Sequence, residues 1–191
     1  MSLILAISGP AAVGKTTICD RLISEFGDGL NRLVTATTRQ PRPQEKNGID
    51  YFFLNNSEFD EELKKNAFLE YEIIHGNKYG ILKKTILDAQ TRNKDILLNI
   101  DVNGTSSLRS FCNKQKELQG RLKTIFIKPE NINELSTRIR GRASESEEQI
   151  KIRLANAEAE MLREGEFDFV LESKDRETDY KRIKALYLSL K

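Results

Sequence analysis

The most informative segment of this 191-residue chain reads Gly9-Pro10-Ala11-Ala12-Val13-Gly14-Lys15-Thr16. It fits the pattern G-x-x-x-x-G-K-[ST], between an apolar run at residues 3–7 and a helical pattern at residues 14–26. Glycines let backbone N–H groups curl around phosphate oxygens, and a helix N-terminus adds the positive end of its dipole. We therefore predict a phosphate-binding loop in which Lys15 contacts the β- and γ-phosphates of a nucleoside triphosphate and the Thr16 hydroxyl binds Mg²⁺.

Short apolar runs alternate with helical patterns along the rest of the chain. The run at residues 3–7 is typical of a strand buried on both faces of a parallel sheet. Further strands are predicted at residues 32–37, 51–54, 69–74, 95–101, 122–127 and 168–171. Helices are predicted at 14–26, from Ser57 with Asp60 in its first turn, at 132–140, at 147–164 and at 180–190. This alternation predicts an α/β fold with a mainly parallel sheet flanked by helices.

Composition restricts the class of protein further. A hydrophobic fraction of 38% in a chain of this length supports one domain, residues 1–191. The 31 basic and 29 acidic residues nearly cancel, so we expect no nucleic-acid or membrane partner. No apolar run approaches the roughly 18–20 residues of a membrane span, the N-terminus does not resemble a signal peptide, and two cysteines exclude a disulfide scaffold. We expect a soluble cytoplasmic protein, and a monomer and a homodimer both fit the sequence.

A phosphate-binding loop requires an acidic residue on the magnesium side, at the end of another core strand. The apolar run at residues 95–101 ends in Asp101, which we interpret as that residue. The alternative is an aspartate that only caps the following helix. On the other side of the reaction, Arg39 and Arg42 lie on a segment stiffened by Pro41 and Pro43, where two guanidinium groups can converge on one phosphate.

Six segments occur together in a distinctive order and spacing. They are Gly9 to Thr17, Thr37-Thr38-Arg39-Gln40-Pro41-Arg42, Gly48-Ile49-Asp50-Tyr51-Phe52-Phe53, Phe68-Leu69-Glu70-Tyr71 with His75-Gly76-Asn77-Lys78-Tyr79-Gly80, Ile100-Asp101-Val102-Asn103-Gly104, and Arg138-Ile139-Arg140-Gly141-Arg142. In these segments, and over residues 3–175 as a whole, the chain resembles the guanylate kinases. The resemblance implies Mg²⁺-dependent transfer of the γ-phosphoryl group of ATP to GMP or dGMP, giving ADP and GDP or dGDP.

The resemblance also implies a role for individual residues. It assigns ATP binding to Gly9, Pro10, Ala11, Ala12, Val13, Gly14, Lys15, Thr16 and Thr17. It assigns GMP binding to Thr35, Arg39, Arg42, Tyr51, Glu70, Tyr79, Asn99 and Asp101. The catalytic residues would be Lys15, Arg39, Arg138, Arg142 and Arg153, with Mg²⁺ held by Thr16 and Asp101, partly through water.

Glu70 would read the base. Guanine presents a ring N–H beside an exocyclic amino group, and a carboxylate can accept from both, whereas adenine lacks this pair of donors. Without the surrounding motif, Glu70 would be interpreted as an exposed strand carboxylate. No general base is expected, because the attacking oxygen of the GMP phosphate is already ionised at neutral pH. Catalysis then consists of positioning and charge neutralisation.

The implied fold is a P-loop kinase core with two additional segments. The core comprises residues 1–35, 82–130 and 156–191, the GMP-binding insert with its strands residues 36–81, and the helical lid residues 131–155. The insert and the lid are expected to close over the reactants and exclude water. Outside this family, the lid arginines would be interpreted as a solvated helix face.

Four positions depart from the usual family pattern. Ala11-Ala12 stand where Ser-Gly is usual, so we expect ordinary backbone angles at Ala12. Ile81 replaces a Ser or Thr near guanine, Asn99 replaces an aspartate, and residues 172–175 differ from the usual adenine-site sequence. Two alternatives stay open from sequence: a P-loop kinase for another phosphorylated acceptor, such as a ribose bisphosphate, and a non-catalytic guanylate-kinase-like module that binds a protein.

Overall fold

A computed structural model describes residues 2–74, 76–91, 94–140 and 147–191, and it confirms the predicted α/β architecture. Nine strands lie in these ranges: β1 (Ile4–Ser8), β2 (Leu30–Arg32), β3 (Thr35–Thr37), β4 (Tyr51–Phe53), β5 (Phe68–Ile74), β6 (Asn77–Leu82), β7 (Asp95–Asn99), β8 (Leu122–Lys128) and β9 (Phe169–Glu172). The same ranges contain seven α-helices: α1 (Lys15–Phe26), α2 (Asn56–Lys64), α3 (Lys83–Thr91), α4 (Val102–Lys114), α5 (Ile132–Arg140), α6 (Glu147–Met161) and α7 (Arg176–Ser189).

The main sheet has five parallel strands in the order β2-β7-β1-β8-β9. Successive residues of the central strand β1 enter different cores. Leu5 and Ile7 belong to a cluster with residues of α1 and α7, whereas Ile4 and Ala6 belong to a cluster with residues of α3 and α4. The sheet is therefore covered by helices on both faces, which explains why β1 reads as a continuous apolar run. Its carboxyl edge is where the phosphate-binding loop begins.

The small sheet, our name for strands β3 to β6, has the order β4-β3-β6-β5 and mixed strand directions. It has a separate core of four buried residues: Ala36, Phe59, Phe68 and Leu82. The rings of Phe59, from α2, and Phe68, from β5, stack with centroids 4.2 Å apart. The small sheet is thus stabilised by packing of its own, separately from the main sheet.

The single strand predicted at residues 32–37 is wrong. Residues 32–37 do not form a single strand, because the chain changes sheets within them. β2 pairs with β7 in the main sheet, and the backbone N–H of Leu33 still donates to the carbonyl oxygen of Leu97 at 3.0 Å. Thr35 then pairs with Tyr51 in the small sheet. A change of sheet leaves no mark in a period-two pattern, so the sequence could not reveal it.

Several element ends also differ from the prediction, among them the start of α7, which lies at Arg176 instead of residue 180. Helix α2 is capped by Asn55 rather than Ser57: Asn55 Oδ1 accepts from the Glu58 backbone N–H at 2.9 Å, and Glu58 Oε2 accepts from the Asn55 N–H at 2.7 Å. This reciprocal capping box satisfies two N–H groups at the helix start. Strand β7 ends at Asn99, and Asp101 is the N-terminal cap of α4. Strand β6 and helix α3 were not predicted.

Candidate active site

The phosphate-binding loop connects β1 to α1 and requires unusual backbone angles. Gly9 and Gly14 have φ of 135° and 111°, and a Cβ on Gly9 would overlap the backbone of Ile127. Ala12 also has a positive φ, 66°. The expectation of ordinary angles at Ala12 is therefore wrong, because a left-handed backbone crowds the Cβ of any L-residue against the following carbonyl. The loop holds one strained alanine where a glycine would fit without strain.

The start of α1 suits an anion. Its N-cap, Gly14, supplies no side chain, and its first turn contains no acidic residue, so no cap neutralises the positive end of the helix dipole. The ammonium group of Lys15 donates to the carbonyl oxygen of Gly9 and, at 2.9 Å, to that of Pro10. The lysine therefore lies folded over the loop, within reach of an anion bound there.

Thr16 and Thr17 are both exposed at the start of α1. Asn99 Nδ2 donates to Thr16 Oγ1 at 3.1 Å, because β1 and β7 are neighbours and Asn99 ends β7 opposite Ile7. Asn99 was expected beside guanine. Its contact lies with the phosphate-binding loop, and the sheet order, which sequence reasoning did not establish, brings the two residues together.

Asp101 lies two residues beyond Asn99 and does cap the next helix. Its Oδ1 accepts from the Gly104 backbone N–H at 2.6 Å, and its carbonyl oxygen accepts from the Thr105 hydroxyl at 2.7 Å. Capping occupies one carboxylate oxygen. Among the described residues there is no group of three or more His, Cys, Asp or Glu side chains able to hold a metal ion by itself. The two predicted ligands, the Thr16 hydroxyl and the Asp101 carboxylate, are both oxygen donors. Such a small set fits Mg²⁺, which usually retains several waters and is held by few protein oxygens together with substrate phosphates.

Arg39, Tyr51 and Tyr79 lie together at the acceptor end of the small sheet. The Arg39 guanidinium lies 5.4 Å from the centroid of the Tyr51 ring, whose centroid is 6.1 Å from that of Tyr79. The Arg39 side chain also hydrogen bonds to Tyr79. Its Nη2 atom donates to Glu45 Oε1 at 2.8 Å, and Glu45 Oε2 accepts from the Arg42 N–H at 2.8 Å. Two predicted GMP-binding residues, Arg39 and Arg42, thus contact one carboxylate, and two more, Tyr51 and Tyr79, lie close to Arg39.

Glu45 is a site residue that the sequence interpretation missed. The hydrogen bond from Arg39 holds the pKa of Glu45 below its usual range, so the carboxylate is charged. It is an internal anion at the position where the acceptor phosphate is expected to bind Arg39. Glu45 lies three residues after Arg42 in a polar segment, where one more charged residue forms no distinctive sequence pattern.

Glu70 lies half-buried on β5, against the first turn of α4. Burial, reinforced by the nearby charges of Asp101 and Glu72, raises its pKa to about 8. The pKa of Glu72 is also raised, by burial and by its hydrogen bond with Asp101. Three carboxyl groups therefore share this corner, which raises the cost of ionising Glu70 while no ligand supplies donors.

Two cavities adjoin the phosphate-binding loop. A cavity of about 590 Å³ extends from Thr16 and Asn99 to Thr35 and Tyr51 of the small sheet, with Ile81 also in its wall. A second cavity, of about 400 Å³, has in its wall Ala12, Val13, Gly14, Thr17, Ile18, Arg21, Arg138, Arg176 and Asp179. The first thus joins donor-side to acceptor-side residues, and the second extends from the loop to the lid arginine Arg138.

The lid arginines are only partly described. Arg138 lies in the last turn of α5, which packs against α6, and Arg153 is half-buried on α6. Arg142 lies outside the described residues. Farther along α6, burial raises the pKa of Glu160, and Lys15 and Asp101 are among the charges that act on it. Helix α6 thus places Glu160, a carboxyl group that the sequence interpretation missed, close to the phosphate-binding loop.

No helix in the described ranges is long and apolar enough to cross a membrane.

Known proteins resemble this chain over nearly its whole length. The family model described as guanylate kinase matches residues 1–189. A guanylate kinase of Malacoplasma penetrans is 36% identical over 172 residues, 90% of this chain and 85% of that protein. One of Clostridioides difficile is 35% identical over 189 residues, 99% of this chain and 88% of that protein. The crystal structure of guanylate kinase from Anaplasma phagocytophilum superimposes with a TM-score of 0.67 at 26% identity, covering 98% of this chain and 85% of that one.

Proposed function

Because this chain belongs to the guanylate kinase family, we propose that its two sides divide one reaction between them, the phosphate-binding loop holding ATP and the small sheet holding GMP. The enzyme is an ATP:GMP phosphotransferase, which moves the γ-phosphoryl group of ATP to GMP and yields ADP and GDP. We extend the acceptors to dGMP, because none of the proposed contacts requires the ribose 2′-hydroxyl group. The two alternatives left open by the sequence are set aside, since the curated relatives are guanylate kinases.

One observation carries the division into two sides. The 590 Å³ cavity brings Thr16, at the start of the helix that follows the loop, into the same space as Thr35 and Tyr51 of the small sheet. A donor triphosphate on the loop and an acceptor monophosphate on the small sheet would therefore meet across this space. Holding both reactants in line supplies much of the rate enhancement in phosphoryl transfer.

On the donor side, residues 9–17 would wrap the triphosphate with backbone N–H groups. Lys15 would exchange its two carbonyl acceptors for the β- and γ-phosphates. Thr16 and Asp101 would hold Mg²⁺, partly through water, with Asn99 orienting the Thr16 hydroxyl. Bound Mg²⁺ would neutralise charge on the β- and γ-phosphate oxygens.

On the acceptor side, Arg39, Arg42, Tyr51, Tyr79 and Thr35 would bind the GMP phosphate. Arg39 would exchange Glu45 for this phosphate, since the negative charge of the Glu45 carboxylate would otherwise repel the anionic phosphate. Its guanidinium would then both bind the acceptor and stabilise charge as the phosphoryl group moves. Contact with the Tyr51 ring, whose centroid lies 5.4 Å from the guanidinium, would help to orient Arg39 before GMP binds.

Glu70 would read guanine by accepting from its ring N–H and its exocyclic amino group. Ionising the buried carboxyl group is unfavourable without a ligand. Two charge-assisted hydrogen bonds to guanine, each net worth about 1.5–3 kcal/mol, would offset this cost. Asn99 and Asp101 complete the acceptor set in our assignment. Adenine, offering no matching donors, would leave the carboxylate unpaired, which disfavours AMP.

We assign residues 36–81 to the acceptor insert and residues 131–155 to the lid, with the core in 1–35, 82–130 and 156–191. Arg138, Arg142 and Arg153 would close over the triphosphate and stabilise the charge of the transferring group. Helix α5, which carries Arg138, packs against α6, so the lid would move as a helical pair. Closure excludes water and so prevents hydrolysis of ATP.

We place the enzyme in the cytoplasm and propose no nucleic-acid or membrane partner for either a monomer or a homodimer. Cys19 and Cys112 are both free and buried, which suits a reducing compartment. Burial raises the pKa of the Cys19 thiol to about 12, so this group is unreactive at neutral pH.

The test is ADP production from ATP and Mg²⁺ with GMP, dGMP, AMP, CMP and UMP supplied separately, using Lys15→Ala as the blank. We expect turnover with GMP and dGMP, and a loss of about 10- to 100-fold in the preference for GMP over AMP in Glu70→Gln. Glu61→Gln, on the exposed face of α2, is the matched control. An unchanged preference in Glu70→Gln would show that another residue reads guanine.

A further inference from the structure

The carboxyl group of Glu70 occupies the space that a side chain at Gly104 would fill. A Cβ built on Gly104 would lie 2.5 Å from Glu70 Oε1 and would overlap both Oε2 and the carboxyl carbon. Real Cβ atoms essentially never approach another heavy atom more closely than 3.0 Å. Any residue other than glycine at position 104 would therefore displace either Glu70 or helix α4.

Helix α4 is the better anchored of the two. Val102, Thr105 and Leu108 are buried on it, and Asp101 caps its first turn. Glu70, in contrast, follows a register irregularity between β5 and β6 and carries a side chain with three rotatable bonds. A Cβ at position 104 would therefore move the carboxyl group of Glu70 and leave the helix in place.

The backbone of Gly104 gives no other reason for a glycine. It lies in the first turn of α4, and it is not among the glycines with positive φ. Glycine is the least favourable of the ordinary residues in a helix, and alanine is the most favourable. The three heavy atoms nearest to a Cβ at this position all belong to Glu70, so space for the Glu70 carboxyl group explains a glycine here.

We propose that Gly104 is a positioning residue for guanine recognition. Because Gly104 has no side chain, the Glu70 carboxylate can pack against α4, and this position of the carboxylate determines the preference for the acceptor base. The inference rests on the proposed role of Glu70. Gly104 touches neither the base nor the phosphate in this assignment. It acts through Glu70, while its backbone N–H holds Asp101.

The first test is the steady-state kinetics of Gly104→Ala with GMP, AMP and ATP varied in turn. We expect kcat/KM for GMP to fall by at least tenfold and the preference for GMP over AMP to fall with it, while the KM for ATP changes by less than twofold. Ser110→Ala, an exposed substitution on the same helix, controls for a general effect of alanine on α4.

The second test is size compensation. Aspartate is shorter than glutamate by one methylene group, so Glu70→Asp should make room for the Cβ of Gly104→Ala. We expect the double variant to have a higher kcat/KM for GMP than Gly104→Ala alone, although Glu70→Asp alone should be impaired. A merely structural glycine would give the double variant the product of the two losses.

A third measurement keeps the proposal testable if Gly104→Ala folds poorly. In the Glu70→Ala background the obstructing carboxyl group is gone, so Gly104→Ala should raise the Tm through helix propensity instead of lowering it. A Tm lowered equally in both backgrounds would overturn the proposed contact.

The outcomes separate this inference from the proposed function. If Glu70→Gln reduces the preference for GMP and Gly104→Ala does not, the positioning role is wrong and guanine recognition by Glu70 stands. If Glu70→Gln leaves the preference unchanged, the role of Glu70 itself is wrong, and the inference about Gly104 fails with it.

Discussion

The donor and acceptor sides of this enzyme are built in different ways. The phosphate-binding loop comes from eight consecutive residues, 9–16, between one strand and one helix. The proposed acceptor side takes Thr35, Tyr51, Glu70 and Tyr79 from four strands and Arg39 from the segment after β3. Local backbone geometry therefore fixes the first, whereas the order of strands in the small sheet assembles the second.

The two sides also differ in their internal charges. Lys15 donates to two neutral carbonyl groups, those of Gly9 and Pro10, which the oxygens of an incoming phosphate can replace. Arg39 rests on a charged carboxylate, that of Glu45, and Glu70 lies beside Asp101 and Glu72. In the proposed assignment, GMP binding would therefore rearrange protein charges around Arg39 and Glu70. We expect the acceptor side to respond more strongly to pH.

The largest expected effect is on the donor side. Lys15→Ala should lower kcat by about 10³-fold or more, because it removes a cation from the charge that develops during phosphoryl transfer. The measurement is steady-state ADP release at saturating ATP and GMP. Lys65→Ala, at an exposed ion pair on the small sheet side, is the matched control and should retain full turnover. Retained turnover in Lys15→Ala would break the assignment of the loop.

On the acceptor side, Arg39→Ala should raise the KM for GMP by about 10- to 100-fold, the equivalent of one lost charge-assisted hydrogen bond. The KM for ATP should change little, because Arg39 contacts Glu45 and Tyr51, which line the cavity away from the phosphate-binding loop. Initial rates with each substrate varied separately provide the measurement, with the exposed Arg182→Ala as control. Equal increases in both KM values would contradict a division between the two sides.

The pH dependence sharpens the contrast. The pKa of Glu70 is about 8 without ligand, and its proposed role requires the ionised carboxylate, so a rise in pH should favour GMP binding. For a group of this pKa, the Kd for GMP should fall by about fivefold or more between pH 7 and 8.5. Calorimetric titration at four pH values measures it. Glu70→Gln should reduce the pH dependence of the Kd for GMP. A wild-type Kd independent of pH would show that GMP binding does not depend on the ionisation of Glu70.

The smallest expected effect tests the loop's local strain. Ala12→Gly should stabilise the enzyme by about 0.5–1 kcal/mol, because it relieves the strain of an alanine with left-handed backbone angles. The greater flexibility that glycine gives the unfolded chain offsets part of this gain. In thermal unfolding this corresponds to a Tm increase of about 1–4 °C. Ala11→Gly is the matched control. The φ of Ala11 is not positive, so the same change there should lower the Tm.

The sequence predicted most of the core because its signals are local. The apolar run before Gly9 and the helical spacing after Gly14 identify β1, the loop and α1 without any distant contact. The split at Leu33 and the pairing of Asn99 with Thr16 were not predictable in this way. Both depend on which strands become neighbours, a consequence of packing over the whole chain.

The predicted site residues show the same limit. The motifs named Arg39, Tyr51 and Tyr79, but not Glu45, which pairs with Arg39, because a charged residue in a polar segment has no distinctive pattern. Gly104 was part of a motif, yet the requirement for a glycine at this position follows only from the packing of β5 against α4. Sequence identifies such residues, and the structure supplies the contact that explains them.

The most direct test of the division between the two sides is the Kd for GMP, measured by calorimetry in the wild-type enzyme, Lys15→Ala and Glu70→Gln. The account predicts that Lys15→Ala binds GMP within about threefold of the wild type, while Glu70→Gln binds it about 10- to 100-fold more weakly. Loss of GMP binding in Lys15→Ala, or unchanged binding in Glu70→Gln, would contradict it.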